Sequence, residues 1–164
     1  MYQSFISRLL WTLLFMVLGP IAKSGEPLRA HPDNPYILEF RGEPTILRTF
    51  AEHYSSVINE DFEYVPYLDS LQASGINLTR VFLAGFRVDE GAPTLDPLGP
   101  PPAKFLQPWP RVDASNPSLD GLGKWDFSRW NDAYFVRLKQ FLQACSDRDI
   151  VVELTFFCTF YTEL

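Results

Sequence analysis

Apolar residues along this chain recur in two different periods. Tyr64, Tyr67, Leu68 and Leu71 fall at i, i+3, i+4 and i+7, which lines one face of a helix, and Gly75 stands where that helix would end. Pro66 then belongs to the first turn, where a missing N–H costs little. A second helical face runs through Tyr134, Leu138, Phe141, Leu142 and Cys145. It starts near Asp126 or Ser128, either of which can cap, and stops before the polar stretch Ser146 to Asp149. Ile76 to Leu83 and Ile150 to Phe157 are nearly continuous apolar runs rich in β-branched and aromatic residues, the pattern of strands covered on both faces. Upstream, Tyr36 to Phe40 and Thr45 to Phe50 are two β-rich runs joined by Arg41-Gly42-Glu43-Pro44. They predict an opening hairpin whose second arm becomes the first core strand.

The order is therefore β, α, β, α, β, and the fold class expected is α/β. Strands alternating with helices imply parallel pairing through right-handed crossovers, in an open doubly wound sheet or in a closed barrel. No glycine-rich phosphate loop of the dinucleotide or Walker type follows any strand, which removes the main support for the open nucleotide binders. A nucleophile elbow of the G-x-S-x-G type is missing as well. The connection from Ala84 to Lys124 is long and crowded with Pro and Gly. Connections of that length are functional or disordered, and as a strand-to-helix loop it belongs to the carboxyl end of the sheet, where ligands bind. Its aromatic residues Phe86, Phe105 and Trp109 favour a binding loop over a linker.

Hydrophobic residues make up 46% of the 164 positions and aromatics 15%, enough for a sizeable core in one domain or part of one. A formal charge of -6, with only 14 Lys and Arg thinly spread, leaves no basic stripe for a phosphate backbone, so nucleic acid is not an expected partner. Four Trp extend the aromatic content; such rings fill cores, and their faces also suit the apolar faces of sugars. Near the start, Arg8 precedes the apolar run Leu9 to Leu18, and Ala22-Lys23-Ser24 offers small residues for cleavage. Residues 1–24 are thus expected to be a signal peptide, and 25–164 the exported domain, secreted or periplasmic. The run is too short to span a bilayer of roughly 30 Å. Membrane association enters only if the segment stays uncleaved, with Pro20 and Lys23 flanking an anchor.

Cys145 and Cys158 are the two cysteines, and the predicted elements put them at opposite ends of one strand. That is on the order of 25 Å at about 3.3 Å per residue, too far for a disulfide. The two histidines, His31 and His53, are remote from both cysteines, so neither a structural metal nor any other cofactor is expected.

Polar residues cluster at the carboxyl ends of the three core strands. Glu52, His53 and Tyr54 follow the first, Arg80 lies in the second, and Phe157, Phe160, Tyr161 and Glu163 end or follow the third. A guanidinium inside an apolar strand is costly unless it meets a carboxylate or a ligand. Arg80 is accordingly read in two ways: a structural ion pair, or a group that orients and keeps ionised a catalytic carboxylate. His53 could donate to a sugar hydroxyl or serve as a structural hydrogen-bonding residue. Glu153, within the third strand, is expected to be buried and paired in a structural role. Asn77-Leu78-Thr79 matches a glycosylation sequon, but at the start of a buried strand Asn77 is expected to bond backbone instead.

These residues together resemble a bacterial family of cellulase-like glycoside hydrolases, barrels of the (β/α)8 type that use two glutamates. The likeness rests on Ala51-Glu52-His53-Tyr54, Asp61-Phe62-Glu63-Tyr64, Gly75-Ile76-Asn77-Leu78-Thr79-Arg80, Phe105 to Trp109, Lys124-Trp125-Asp126-Phe127 before Tyr134-Phe135, and Val151-Val152-Glu153-Leu154 leading to Phe157-Cys158 and Phe160-Tyr161. It covers most of the exported part in order and corresponds to the amino-terminal third to half of such a barrel.

The resemblance implies a carbohydrate substrate, β-linked poly- or oligosaccharide, with Arg80 holding the nucleophile and His53, Tyr54, Phe86, Trp109, Phe157 and Tyr161 lining the sugar cleft. It also implies a general acid in an Asn-Glu-Pro step at the end of the fourth strand and a nucleophile from the seventh. The chain contains no Asn-Glu-Pro and has three predicted core strands, so no catalytic residue is assigned to it and hydrolysis by the chain alone is not expected. A non-catalytic carbohydrate-binding or interaction module is the competing reading, and a complete small α/β domain a third. Sugar, linkage and oligomeric state are not fixed by these residues.

Overall fold

The structure, a computed structural model, describes residues 27–49, 55–83, 100–112, 115, 117 and 121–156. The expected signal peptide lies outside them. The chain divides into two compact units, one ending at Ile46 and the other beginning at Leu47.

The first unit is an antiparallel meander of β1 (Arg29–His31), β2 (Asn34–Phe40) and β3 (Glu43–Thr45). Phe40 pairs with Glu43, which leaves a two-residue turn. Arg41 and Gly42 both take positive φ, 55° and 80°, as such a tight hairpin requires. Arg29 closes the other side by an ion pair onto the buried carboxylate of Glu39, with its Nε 2.8 Å from Oε1. The hairpin is tighter than its sequence suggests, because Glu43 and Pro44 belong to the returning strand rather than to the turn. The expected strand from Thr45 to Phe50 is not formed among the described residues. β3 ends at Thr45, and the backbone of Arg48 instead lies beside the next segment, where its carbonyl accepts from the N–H groups of Asn77 and Leu78, both at 3.1 Å. The Asn77 side chain completes this contact by accepting from the Arg48 N–H at 2.7 Å, the backbone role expected of it.

The second unit is mixed α/β. A short helix α1 (Ser55–Ile58) precedes α2 (Tyr64–Ala73), strand β4 (Leu78–Phe82), a 3-10 turn at Pro102–Lys104, the long helix α3 (Asp132–Ser146) and strand β5 (Val151–Thr155). β4 and β5 pair in parallel, with Leu78 opposite Val151 and Arg80 opposite Glu153. A parallel pair needs a crossover, and α3 lies within it. Alternation along the strands sends Thr79 and Val81 to the helical side, where both are fully buried, and Val152 and Leu154 pack there with them. Against this face α3 lays Tyr134, Leu138, Phe141 and Cys145, the stripe its spacing predicts, while α2 adds Leu68 and Leu71 and α1 adds Val57 and Ile58. Each fully buried side chain of this size contributes roughly 1.5–3 kcal/mol relative to exposure.

Both helices that feed a strand end in the same way. After α2, Gly75 at φ +69° lets its N–H reach the Gln72 carbonyl and the Ile76 N–H reach that of Leu71, each at 2.9 Å. After α3 the left-handed position is held by Asp149, φ +56°; its N–H reaches Ser146 and the Ile150 N–H reaches Cys145 at 3.0 Å. In each case the following isoleucine turns back onto the core. Arg148 ties the two helix ends together, with Nε 2.7 Å from Asp69 and its carbonyl accepting from Gln72.

α3 begins at Asp132, later than Asp126 or Ser128, for a local reason. The Asp126 carboxylate is used up in its own turn, accepting from the Ser128 N–H at 3.0 Å and from Arg129 Nε at 2.7 Å. Asn131 occupies the cap position but turns its side chain away to donate to the Gln107 carbonyl at 3.0 Å.

Candidate functional site

Two groups of residues stand out in the second unit. The first is the face of the β4–β5 sheet turned away from the helices. Leu78, Arg80 and Phe82 alternate onto it from β4, with Val151, Glu153 and Thr155 opposite them. At its centre the Arg80 guanidinium pairs with the Glu153 carboxylate: Nη2 donates to Oε2 at 3.0 Å, and Nε lies 3.0 Å from Oε1 as an ion-pair contact. The side chains keep 36% and 48% of their exposure. Glu153 is thus not buried, contrary to what a strand rich in apolar residues suggests. The reason is that it belongs to the half of β5 facing away from the core. An acid is the partner of Arg80 here, supplied by the neighbouring strand. With both side chains partly exposed, such a pair adds about 0–1 kcal/mol to stability, so its placement is a better guide to its use than its energy.

The second group lies in the connection between β4 and α3. Its described part is not a loose linker. The 3-10 turn anchors it on α1, through the Glu60 N–H to the Lys104 carbonyl at 3.1 Å and the Leu106 N–H to the Ile58 carbonyl at 2.8 Å, and it buries Leu106 and Gln107. Further on, residues 110–112 run antiparallel to 124–126, with Val112 and Asp126 donating to Lys124 and Pro110 at 2.7 and 2.8 Å. Arg111 stacks its guanidinium on Trp125, 3.9 Å from the ring centre, and donates to the Gly123 carbonyl. Trp125 in turn meets Phe105 edge to face at 5.8 Å.

At the end of this connection four rings gather: Trp109, Phe127, Trp130 and Phe135. Phe127 meets Trp109 edge to face at 4.9 Å, and Trp130 lies 6.1 Å from Trp109 with its plane only 23° off parallel. Phe135, in the first turn of α3, packs edge to face on Trp130 at 5.5 Å. The turn beneath is fixed by Asp126, whose carboxyl the Ser128 hydroxyl and the Arg129 guanidinium hold at about 2, well below its ordinary 3.8. This end of α3 adjoins the carboxyl end of β4, since the buried Tyr134 donates its hydroxyl to the Leu83 carbonyl. Burial without a charged partner raises the Tyr134 pKa, and it pushes the Cys145 thiol, deeper along the same helix, up to about 12.

A third feature is supporting rather than site-forming. Arg137 reaches from α3 to four backbone carbonyls, those of Ser56, Val57, Asn59 and Phe62, at 2.7–3.3 Å, and leans over the Tyr64 ring. It satisfies the end of α1, whose last carbonyls have no helical partners. Burial lowers its pKa, opposed by the nearby Tyr64, Glu60 and Asp61.

Of the residues expected to face a sugar, Arg80 lies on the open sheet face and Trp109 in the aromatic group; His53, Tyr54, Phe86, Phe157 and Tyr161 fall outside the described residues, as do Glu52, Glu163 and Cys158. Phe127 and Trp130, which join Trp109, are not among the residues expected to face a sugar. A signal for them existed, because both are large apolar residues outside the helical stripe, Phe127 within the Asp126-Phe127-Ser128 turn and Trp130 two residues after it. Among the described residues no group of three or more His, Cys, Asp and Glu could hold a metal ion, and no helix is long and apolar enough to cross a membrane.

No protein-family model matches the chain, and no curated protein matches it. Solved structures do. The chain is similar to a putative glycoside hydrolase from Bacteroides vulgatus, with 16% identity over 83% of this chain and a TM-score of 0.53. It is also similar to a glycoside hydrolase family 5 mannosidase from Rhizomucor miehei, solved in complex with mannosyl-fructose, with 17% identity over 78% of this chain and a TM-score of 0.47. The chain spans about a quarter of the length of each, 25% and 26%. The likeness to the Bacteroides vulgatus structure shows the fold alone: this chain folds as about a quarter of that structure does.

Proposed function

We propose that this chain is the amino-terminal part of a (β/α)8-barrel glycoside hydrolase of cellulase-like type, exported to the periplasm or the exterior and directed at β-linked poly- or oligosaccharide. The observation that carries the reading is the Arg80–Glu153 pair on the face of a parallel sheet opposite its helices. In a closed barrel that face looks inward, and ligands bind at the carboxyl end of its strands. A guanidinium there can hold a carboxylate from another strand ionised and in place. The fold likeness to a putative glycoside hydrolase over a quarter of its length supports the same reading.

By itself the chain hydrolyses nothing. A retaining glycosidase needs two carboxyls about 5 Å apart, one to protonate the leaving oxygen and one to attack. Glu153 is committed to Arg80 in an ion pair. The acid/base and nucleophile glutamates come from later strands of the barrel. The test is the coding sequence beyond codon 164, followed by assay of the joined product on aryl β-glycosides and soluble β-glucans. An in-frame or single-frameshift continuation that carries a fourth-strand Asn-Glu-Pro and restores hydrolysis bears the reading out. Measurable hydrolysis by the 164-residue chain, or the absence of any barrel continuation, overturns it.

A further inference from the structure

We propose that the outer edge of β5 docks a second copy of this chain, strand to strand and antiparallel about a two-fold axis at Leu154, which joins the 2-stranded sheets of the two copies into one.

The ladder decides which backbone groups face that edge. In a parallel strand the N–H and C=O of one residue point to the same side, and successive residues alternate. The Val151 N–H donates to the Asn77 carbonyl at 2.8 Å, and the Thr155 carbonyl accepts from the Leu83 N–H at 3.1 Å. Val151, Glu153 and Thr155 are therefore bonded to β4 through the register of the pair. Val152, Leu154 and Phe156 aim their groups the other way, and among the described residues no strand lies on that side. The side chains of Val152 and Leu154 pack on the core, which leaves both residues half-buried. Backbone donors and acceptors on such a strand are best satisfied by another extended backbone, which offers both groups at the same repeat. The devices that keep an edge single are missing here: Val151–Thr155 holds no Pro and no Lys, and its pairing has no bulge.

The side chains select a second copy and its register. With the axis at Leu154, that residue pairs with itself and Val152 with Phe156 of the other copy, so the outward groups of all three find partners. Phe156 is 65% exposed in the chain by itself. Across from a β-branched Val152 it makes a favourable aromatic pair, and the symmetry makes that pair twice. On the open face Glu153 comes opposite Thr155, whose hydroxyl donates to a carboxylate. An axis at Glu153 would set two carboxylates against each other and leave Phe156 without a partner, so charge and apolar contact favour the same register. One strand thus supplies both halves of the match, as a two-fold interface demands.

Sedimentation of the 164-residue chain over a dilution series, in about 0.15 M salt to screen its formal charge of -6, tests this together with amide exchange. The expected result is a reversible dimer. In it the Val152, Leu154 and Phe156 amides are protected at high concentration and exchange on dilution, while those of Val151 and Glu153 stay protected throughout. Phe156→Lys should weaken the dimer about tenfold, since two cross-strand pairs are lost at once. Thr155→Glu should weaken it and Thr155→Lys tighten it, because the new charge faces Glu153 of the other copy; every variant should melt near the parent. A chain that stays monomeric at its highest soluble concentration overturns the proposal. So does protection of the Val152 and Leu154 amides at every dilution, since the edge would then be covered within one chain. Association that these substitutions leave unchanged, or that Thr155→Glu and Thr155→Lys shift in the same direction, overturns it as well. The barrel reading is tested separately by the coding sequence, and in a joined product the next strand would take this edge from the second copy.

Discussion

The two faces of the β4–β5 sheet are made from the same ten residues and have opposite fates. On one, Thr79 and Val81 are sealed beneath three helices, and Thr79 meets the Tyr67 hydroxyl at 3.2 Å. On the other, one residue along the strand, Arg80 and Glu153 stay within reach of water and answer each other. The same backbone register thus separates what stabilises this unit from what is free to be used. The fold depends on the first face; the proposed function draws on the second.

The largest effect should come from the sealed face. Phe141→Ala empties a fully buried site and should cost about 3–5 kcal/mol, read as a lowered urea midpoint with an unchanged slope. Next, Arg137→Ala leaves the four carbonyls of Ser56, Val57, Asn59 and Phe62 short of a charged donor and should cost about 2–3 kcal/mol. Arg137→Lys should recover only a fraction, because a single ammonium cannot span the four acceptors of a planar fork. On the open face, Arg80→Gln or Glu153→Gln should change stability by no more than about 1 kcal/mol. A loss as large as that of Phe141→Ala would mean that this face is as sealed as its opposite and would erase the contrast. Smallest and of opposite sign, Asp149→Gly should stabilise by about 0.5–1 kcal/mol, since glycine adopts the left-handed conformation without strain; a higher melting temperature would show it.

Periodicity was enough to read the sealed face. The stripe on α3, the glycine stop after α2 and both parallel strands follow from spacing alone, because burial acts on whole faces and leaves a repeating trace. What escaped was decided by single polar side chains. Asp126 and Ser128 both look like helix caps in sequence, yet they close their own turn, and Asn131 at the actual cap position clamps the preceding loop, so the helix starts at Asp132. Arg48 beside Asn77 replaces an expected strand by a few backbone contacts, and α1 is too short to show a period. The near-continuous apolar run of β5 likewise hid which way Glu153 points, since two-sided burial and one-sided burial differ there by one residue. Of the candidate site, Arg80 and its need for an acid were legible, as was Trp109. The company Trp109 keeps was not, because Phe127 and Trp130 come to it only once the intervening turns are built.

Cys145 gives the molecule a built-in clock. Its sulfur is wholly enclosed, and its thiol is held far from the reactive thiolate form at neutral pH. An alkylating reagent can therefore mark it only when α3 leaves the sheet. The rate at which this one peptide acquires the label, followed by mass spectrometry, counts the openings of the sealed face in the native protein, and so reports how long the scaffold stays closed between them.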